Sequence, residues 1–157
     1  MTAPVRKTIE VPLDPAAAFD LFTARIADWW PADTHSLSAS RHSAVPSAIS
    51  FERCLGGRIL ETCSDGVIRP WATVTTWEEG TRFELSWYVG RNEDEATRVE
   101  VRFAAVPGGA RVDLVHDEFE RLGDRAEPMR DGYHTGWDLV LGKRFGGYCR
   151  KMLRAAS

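Results

Sequence analysis

The chain has 157 residues, of which 43% are hydrophobic and 27% charged, and its formal net charge is −3. This length suits a single domain over residues 1–157, and the interspersed charges, with no basic face, argue against nucleic acid as a partner. No apolar run is long enough to span a membrane, and the first residues lack the apolar core of a signal peptide. A cytoplasmic location is therefore expected.

The first predicted elements are a strand and two short helices. Residues Val5–Val11 alternate as a strand does, and Asp14 and Pro15 are suited to the N-cap and first position of a helix. Pro31 ends the helical part, since proline cannot continue a helix. The segment from Pro31 to Ala48 shows no clear period and is predicted to be a loop.

Six strands in hairpin succession follow this loop. Apolar and polar residues alternate with a period of two, and glycine-containing turns separate the runs. This pattern predicts an antiparallel sheet with one apolar face and a strong curvature. In the strand near residues 67–80, alternation places Trp71 and Trp77 on the face opposite to Ala72 and Val74.

A long helix is predicted at the end of the chain. Large residues recur there at steps of four or three, as expected for one helix face: Tyr133, Trp137, Leu141, Phe145, Tyr148 and Met152. Four glycines interrupt the same span, each costing about 1 kcal/mol relative to alanine: Gly136, Gly142, Gly146 and Gly147. We interpret them as positions where the helix crosses the curved sheet, with close backbone approach at some points and open volume at others.

A series of short motifs in this order resembles a known group of proteins. The motifs are DPAAAFDLFT, DWWP, PWATVTTWEEG, TRVEVRF, GGARVDLVHDEF and GYHTGWDLVLGKRF, and they cover the chain from about Val5 to Leu153. Together they resemble the START-like (SRPBCC) superfamily, specifically bacterial relatives of the C-terminal domain of the heat-shock-protein ATPase activator. The resemblance implies an α+β helix-grip fold: a curved antiparallel sheet wrapped around a long C-terminal helix, with two short helices after the first strand.

The same resemblance implies an apolar cavity between the sheet and the last helix. Residues on the inward faces of these elements supply its predicted lining: Phe83, Trp87, Val101, Phe103, Leu114, His116, Tyr133, Trp137 and Leu141. Four further residues are expected near its rim: Trp30, Trp71, Arg53 and Glu61. Because a solid core has the same composition, the lining by itself does not separate a cavity from a filled interior.

His116 is the most prominent polar residue of the predicted inward face. An imidazole there could orient a ligand carbonyl or act as a general base, which makes His116 the candidate catalytic residue. The alternative is a structural histidine bonded to a backbone carbonyl or to a neighbouring side chain such as Tyr133. We favour the structural alternative, since catalysis needs more than one placed group.

Arg53 and Glu61 have the same inward parity on neighbouring strands and could form an ion pair. A purely structural pair is favoured, although an arginine at a cavity mouth could also hold a carboxylate ligand. His35 and His42 lack metal-ligand spacing. No metal or cofactor is predicted, and the three cysteines are interpreted as ordinary reduced thiols.

Three functions follow, in order of preference. The first is the binding of a small hydrophobic molecule between the sheet and the last helix. The second is a cyclase-like or dehydratase-like enzyme that uses the same cavity, with His116 as base. The third is a modulator of a chaperone ATPase, for which 157 residues leave no room for the additional N-terminal domain of the eukaryotic activator. Homodimer formation stays open.

Overall fold

A computed structural model of the chain describes residues 2–156. Seven strands form one antiparallel sheet in the order β1-β7-β6-β5-β4-β3-β2. The strands are β1 Val5–Val11, β2 Ala48–Phe51, β3 Arg58–Thr62, β4 Ile68–Glu78, β5 Arg82–Trp87, β6 Thr97–Val106 and β7 Gly109–Asp117. The predicted strand followed by six strands in hairpin succession is confirmed, and with it the α+β helix-grip architecture.

The inward faces of the central strands carry the core. Phe83 of β5 pairs with Val101 of β6, which pairs with Leu114 of β7, and all three side chains are buried. These are the alternating positions expected for a sheet with one apolar face. The face that bears them is concave, and the helices cover it.

Two bulges in β4 change the predicted alternation of that strand. The pairing of β4 with its neighbours skips Trp71 on one side and Thr75 on the other. An extra residue in one strand shifts which side chains face inward. As a result Trp71, Ala72 and Val74 are all buried, and Trp77 packs on the core, so the prediction that the two tryptophans oppose Ala72 and Val74 is wrong.

Three helices, not two, follow the first strand: α1 Pro15–Ala24, α2 Ile26–Trp29 and α3 Leu37–His42. The cap of α1 is as predicted, because the Asp14 carboxylate accepts a hydrogen bond from the amide of Ala17 at 2.8 Å. The third helix lies inside the segment predicted to be a loop. Its N-cap is Ser36, whose Oγ accepts from the amide of Ala39 at 3.0 Å.

The C-terminal part is helical throughout but changes its geometry along its length. It consists of 3₁₀ turns at Phe119–Arg125, α4 Ala126–Trp137, a π-helical segment Asp138–Phe145 and α5 Gly146–Ala156. The buried residues recur every four positions: Trp137, Leu141, Phe145 and Cys149. Four residues exceed one α-helical turn of 3.6, so this stripe would rotate away from the sheet in a regular α-helix, and the wider π turns reduce that rotation.

The stripe therefore differs from the predicted one at its end. Cys149 is buried in place of Tyr148 and Met152, which are half-buried. None of the helices within residues 2–156 is long and apolar enough to cross a membrane.

Phenyl rings fill the concave face at one end. Phe22 of α1 contacts Phe83 and Phe145 with ring centroids 5.5 Å and 5.0 Å apart, and Phe19 contacts Phe103 at 5.2 Å. These five residues form the phenyl cluster. Here the sheet, α1 and the last helix pack together, and none of these five residues lines any of the three cavities described below.

Candidate ligand-binding site

A cavity of about 270 Å³ lies at the other end of the concave face. Along β5, Phe83 belongs to the phenyl cluster and Trp87 lines this cavity. Along the last helix, Phe145 belongs to the phenyl cluster and Tyr133 lines the cavity. We name it the aromatic cavity. Its lining is almost wholly apolar: Trp30, His35, Trp87, Pro128, Met129, Gly132, Tyr133, Gly136, Trp137 and Val140.

Two glycines of α4 leave room for this cavity. A β-carbon added at Gly132 would meet nothing within 4 Å, and one at Gly136 would meet only His35 Nε2, at 3.8 Å. A larger side chain at either position would occupy the cavity. The interpretation that some glycines leave open volume is thus confirmed here. The interpretation that other glycines allow close approach of the helix backbone to the sheet is not confirmed. A β-carbon added at Gly146 would have an ordinary 3.6 Å contact with Ile9.

A second cavity, of about 440 Å³, continues from the first. We name it the flap cavity, because one of its walls is the flap, which consists of the segment that leads into α3 together with α3 itself. It shares four lining residues with the aromatic cavity: Trp30, His35, Trp87 and Tyr133. Its other lining residues are Thr34, Ser36, Leu37, Ser40, Arg41, Trp71, Val89 and Gly90.

Trp30 is the central side chain of both cavities. Its ring lies 5.1 Å from Trp71, 6.1 Å from Trp87 and 6.0 Å from Trp137, measured between centroids. Its indole N–H donates to the carbonyl of His35 at 2.7 Å, which holds the flap segment against the ring. Trp30 and Trp71, predicted near the rim, thus both line a cavity.

Two polar side chains reach the aromatic cavity. The Tyr133 hydroxyl accepts a hydrogen bond from Trp87 Nε1 at 3.0 Å, so its own proton is available to a ligand. His35 Nδ1 lies 2.7 Å from the Thr34 hydroxyl, while Nε2 is the atom nearest to the open position at Gly136. Nothing in the sequence alone places His35 here, because the contact depends on how the segment from Pro31 to Ala48 folds back onto α4.

His116 is buried, as its parity predicts, but it lines neither cavity. Trp137 Nε1 donates to its Nδ1 at 3.1 Å, and its Nε2 lies 2.7 Å from Thr97 Oγ1. Because an indole nitrogen can only donate, Nδ1 is the acceptor and Nε2 carries the proton toward Thr97. Burial lowers the pKa of His116 to about 3, with a further lowering from the charge of Arg91.

Both ring nitrogens of His116 are therefore occupied by protein partners. Thr97 Oγ1 completes the network by donating to the carbonyl of Trp87 at 3.3 Å. The structural alternative fits this geometry, with Thr97 and Trp137 as partners; Tyr133 contributes only a ring contact, with centroids 4.5 Å apart. A fully bonded, neutral imidazole lacks the free nitrogen that a general base needs.

The structure corrects the position of five residues predicted to line the cavity. They are buried in the core and line neither the aromatic nor the flap cavity: Phe83, Val101, Phe103, Leu114 and Leu141. The reason is that the phenyl rings of α1 occupy the space in front of the middle of the sheet. Three residues of the predicted lining do border the aromatic cavity: Trp87, Tyr133 and Trp137.

The predicted pair between Arg53 and Glu61 is wrong. Arg53 donates to Asp20 at 2.7 Å and to Glu79 at 3.2 Å, at the solvent-exposed edge near Trp77. It lies two residues beyond the end of β2, so strand parity no longer fixes its direction. Neither Arg53 nor Glu61 lines the aromatic or the flap cavity.

Glu61 instead holds α3. Its buried carboxylate accepts from the amides of Leu37 and Ser38 at 2.8 and 2.9 Å, from Ser38 Oγ at 2.6 Å and from Trp71 Nε1 at 2.9 Å. Burial alone raises the pKa of Glu61, but these hydrogen bonds outweigh it and the net pKa is lowered. Glu61 is thus an ionised anchor beneath the flap.

The cysteines and histidines form no metal centre within the described part of the chain. No group of three or more His, Cys, Asp or Glu side chains in residues 2–156 could hold a metal ion. Cys54, Cys63 and Cys149 are free thiols, and burial raises the pKa of Cys149 to about 12. A thiol with so high a pKa is not a nucleophile at neutral pH.

The curved sheet, the long closing helix and the apolar cavity between them define a helix-grip protein. Residues 13–149 match the family model described as Activator of Hsp90 ATPase homolog 1-like protein. The chain belongs to this family.

Several solved structures share this fold. CalC from Micromonospora echinospora, a self-sacrificing resistance protein, is 20% identical, with a TM-score of 0.70 and 96% of each chain covered. Txn09, an anthrahydroquino-γ-pyrone synthase, is 28% identical, with a TM-score of 0.61 over 92% of this chain and 95% of its own. An Aha1 dimer from Colwellia psychrerythraea is 14% identical, with a TM-score of 0.64 over 90% and 92%. The comparison with curated proteins gave no match.

Proposed function

We propose that this protein binds a small hydrophobic molecule in the aromatic cavity. The observation that carries the proposal is an apolar space of about 270 Å³ that two helix glycines, Gly132 and Gly136, leave open beside the buried side chains of Trp30, Trp87 and Trp137. A glycine in a helix interior costs about 1 kcal/mol relative to alanine, so two of them facing one cavity are a cost without a packing benefit. Ligand binding supplies a reason for them.

The lining suits a ligand with an apolar, ring-containing body. Trp30, Trp87 and Trp137 present large flat faces, and burial of apolar ligand surface contributes about 25 cal/mol per Å². The Tyr133 hydroxyl and His35 Nε2 supply the few polar groups that fix the orientation of a ligand in such a pocket.

Two observations favour the enzyme alternative. His35 Nε2 and the Tyr133 hydroxyl border the same cavity, and the 28% identical Txn09 is a synthase. If chemistry takes place here, His35 is a better candidate base than His116, whose nitrogens are both bonded. The cavity offers one base and one hydroxyl, so binding is the function that the geometry supports best. Chaperone modulation, homodimer formation and the cytoplasmic location stay predictions.

The proposal is tested with a neutral fluorescent probe and a variant that fills the cavity. N-Phenyl-1-naphthylamine, whose emission rises in apolar surroundings, should bind the wild-type protein. Gly136→Leu places a side chain in the open volume and should weaken binding at least tenfold, while thermal stability is unchanged or higher, because leucine is the better helix residue.

Gly142→Leu is the matched control. Gly142 also lies in the last helix and a β-carbon there would meet nothing within 4 Å, but it borders neither cavity. It should leave probe affinity within twofold of the wild type. Absence of probe binding to the wild type, or equal binding by the two leucine variants, would refute the proposal.

A further inference from the structure

A third cavity, of about 310 Å³, also borders α3 and has a different chemistry. We name it the arginine cavity after three of its lining residues. It is lined by Leu37, Arg41, Arg69, Pro70, Gly90, Arg91, Asn92 and Glu95. Leu37, Arg41 and Gly90 also line the flap cavity, so the two spaces adjoin at these residues.

Two of the charged groups around the arginine cavity are neutralised by partners. Arg69 donates to both carboxylate oxygens of Asp65, at 3.1 and 3.0 Å. Glu95 accepts from Arg125 at 2.5 Å, which balances the one carboxylate in the lining. These pairs leave the remaining arginines to set the charge of the cavity.

Arg41 and Arg91 are the remaining arginines. Within residues 2–156 neither has a carboxylate at ion-pair distance; Arg91 Nε and Nη2 donate instead to the carbonyls of Glu95 and Trp87, at 3.2 and 3.0 Å. Glu93 follows Arg91 closely in sequence, but it bonds to the Tyr88 hydroxyl and does not line the cavity. Two guanidinium groups of the cavity wall thus lack an ion-pair partner among the described residues.

Arg91 also has an unsatisfied donor. Its Nη1 is buried and has no hydrogen-bond partner among the described residues. A buried donor without an acceptor is costly, and buried polar groups without a partner are rare in folded proteins. A positive charge is costly to bury without a partner, and an anion beside this guanidinium would balance it.

We propose that the arginine cavity is an anion-binding subsite and that the ligand of this protein is an amphipathic acid. The anionic head, a carboxylate or a phosphate ester, lies between Arg41 and Arg91. The apolar body extends through the flap cavity toward Trp30 and Tyr133. Arg91 is the fixed part of the subsite because two backbone carbonyls hold it, whereas Arg41 is exposed and free to move onto the head. This inference rests on the proposed function.

The test compares ligands that share a naphthalene body and differ in the head: 2-naphthol, 2-naphthoate and 2-naphthyl phosphate, each titrated by isothermal calorimetry. At least one anion should bind about tenfold or more tightly than the neutral naphthol, since a desolvated charge-assisted contact supplies the roughly 1.4 kcal/mol that a tenfold ratio requires. Whichever of 2-naphthoate and 2-naphthyl phosphate binds more tightly identifies the head group as a carboxylate or a phosphate. The higher affinity of the anion relative to naphthol should diminish as the salt concentration rises.

Arg41→Gln is the informative variant, because Arg41 has no ion pair whose loss would disturb folding. It should remove most of the preference for the anion over naphthol. Arg144→Gln is the control, since Arg144 is exposed on the last helix and lines none of the three cavities. It should keep the full preference.

The outcomes separate this inference from the proposed function. If naphthol binds and the two anions bind no more tightly, the anion subsite is refuted while hydrophobic binding stands. An anion preference that Arg41→Gln leaves intact would also refute the subsite as placed here. If none of the three ligands binds, the proposed function fails together with the inference.

Discussion

At the scale of single residues, His116 shows what strand parity determines and what it leaves open. Its inward direction follows from alternation with Val112 and Leu114, and the structure confirms it. Its partners come from Thr97 and Trp137, which lie 19 and 21 residues away in the chain. Such contacts depend on the register of β6 against β7 and on the helix above them, so the sequence alone could not distinguish a catalytic from a structural histidine.

The burial of His116 should make the protein sensitive to mild acid. Its pKa is about 3 in the folded state and 6.5 ordinarily, so between these values the unfolded chain binds a proton that the native protein does not. Stability therefore falls as the pH drops below about 6.5. Between pH 6.5 and 5 the loss should be about 2 kcal/mol in urea unfolding experiments, at 1.36 kcal/mol for each pH unit.

His116→Gln, which does not titrate, isolates this effect. The variant should be less stable than the wild type at pH 7 but should lack the decline between pH 6.5 and 5. Glu61 does not interfere, since its lowered pKa confines its contribution to pH values below its ordinary 4.5. An equal decline in both proteins would show that His116 is not the group responsible.

At the scale of elements, the clearest failures of prediction are α3 and the π-helical segment. A six-residue helix has little intrinsic stability, and α3 forms because the Glu61 carboxylate binds its first two amides from a distant strand. The π-helical segment does have a signal in the sequence, since Trp137, Leu141, Phe145 and Cys149 are spaced by four at every step. A regular α-helix would mix steps of three and four.

Glu61→Gln should loosen the flap. The amide group of glutamine would direct N–H donors toward the backbone amides or hydroxyl of α3, and the charge that strengthens these hydrogen bonds would be lost. We expect a loss of about 2–3 kcal/mol in unfolding free energy, typical of hydrogen bonds to a buried charged group. Hydrogen exchange measured by mass spectrometry should become faster in residues 37–42.

Glu79→Gln is the comparison for the flap experiment. The Glu79 side chain is 65% exposed in its ion pair with Arg53, so its replacement should cost less than about 1 kcal/mol and leave exchange in α3 unchanged. Equal effects of the two glutamine variants on α3 would contradict the anchoring role of Glu61.

At the scale of the whole molecule, the space between the sheet and the last helix is closed at one end and open at the other. The sequence predicted the two layers and their antiparallel order correctly, because alternation and helical spacing persist over long segments. It could not predict where they separate. The phenyl cluster and the aromatic cavity are built from the same kinds of residue, and only the position of α1 decides which half of the concave face is filled.

This division predicts losses of unfolding free energy of different size when a side chain at either end is truncated to alanine. Phe83 is fully buried among Phe19, Phe22 and Phe103, so Phe83→Ala should lower the unfolding free energy by about 3–5 kcal/mol. Met129 borders the aromatic cavity and is only half-buried. Met129→Ala should cost about 1 kcal/mol or less, because it removes atoms that already face open volume.

Probe binding gives the second half of this comparison. Met129→Ala enlarges the aromatic cavity and removes part of its wall, so the affinity for N-phenyl-1-naphthylamine should change at least threefold. Phe83→Ala, if measured where it is still folded, should retain wild-type affinity, because its ring lies outside the cavity. Similar stability losses for the two variants would mean that Met129 is as tightly packed as Phe83. The open end on which ligand binding depends would then be filled in solution.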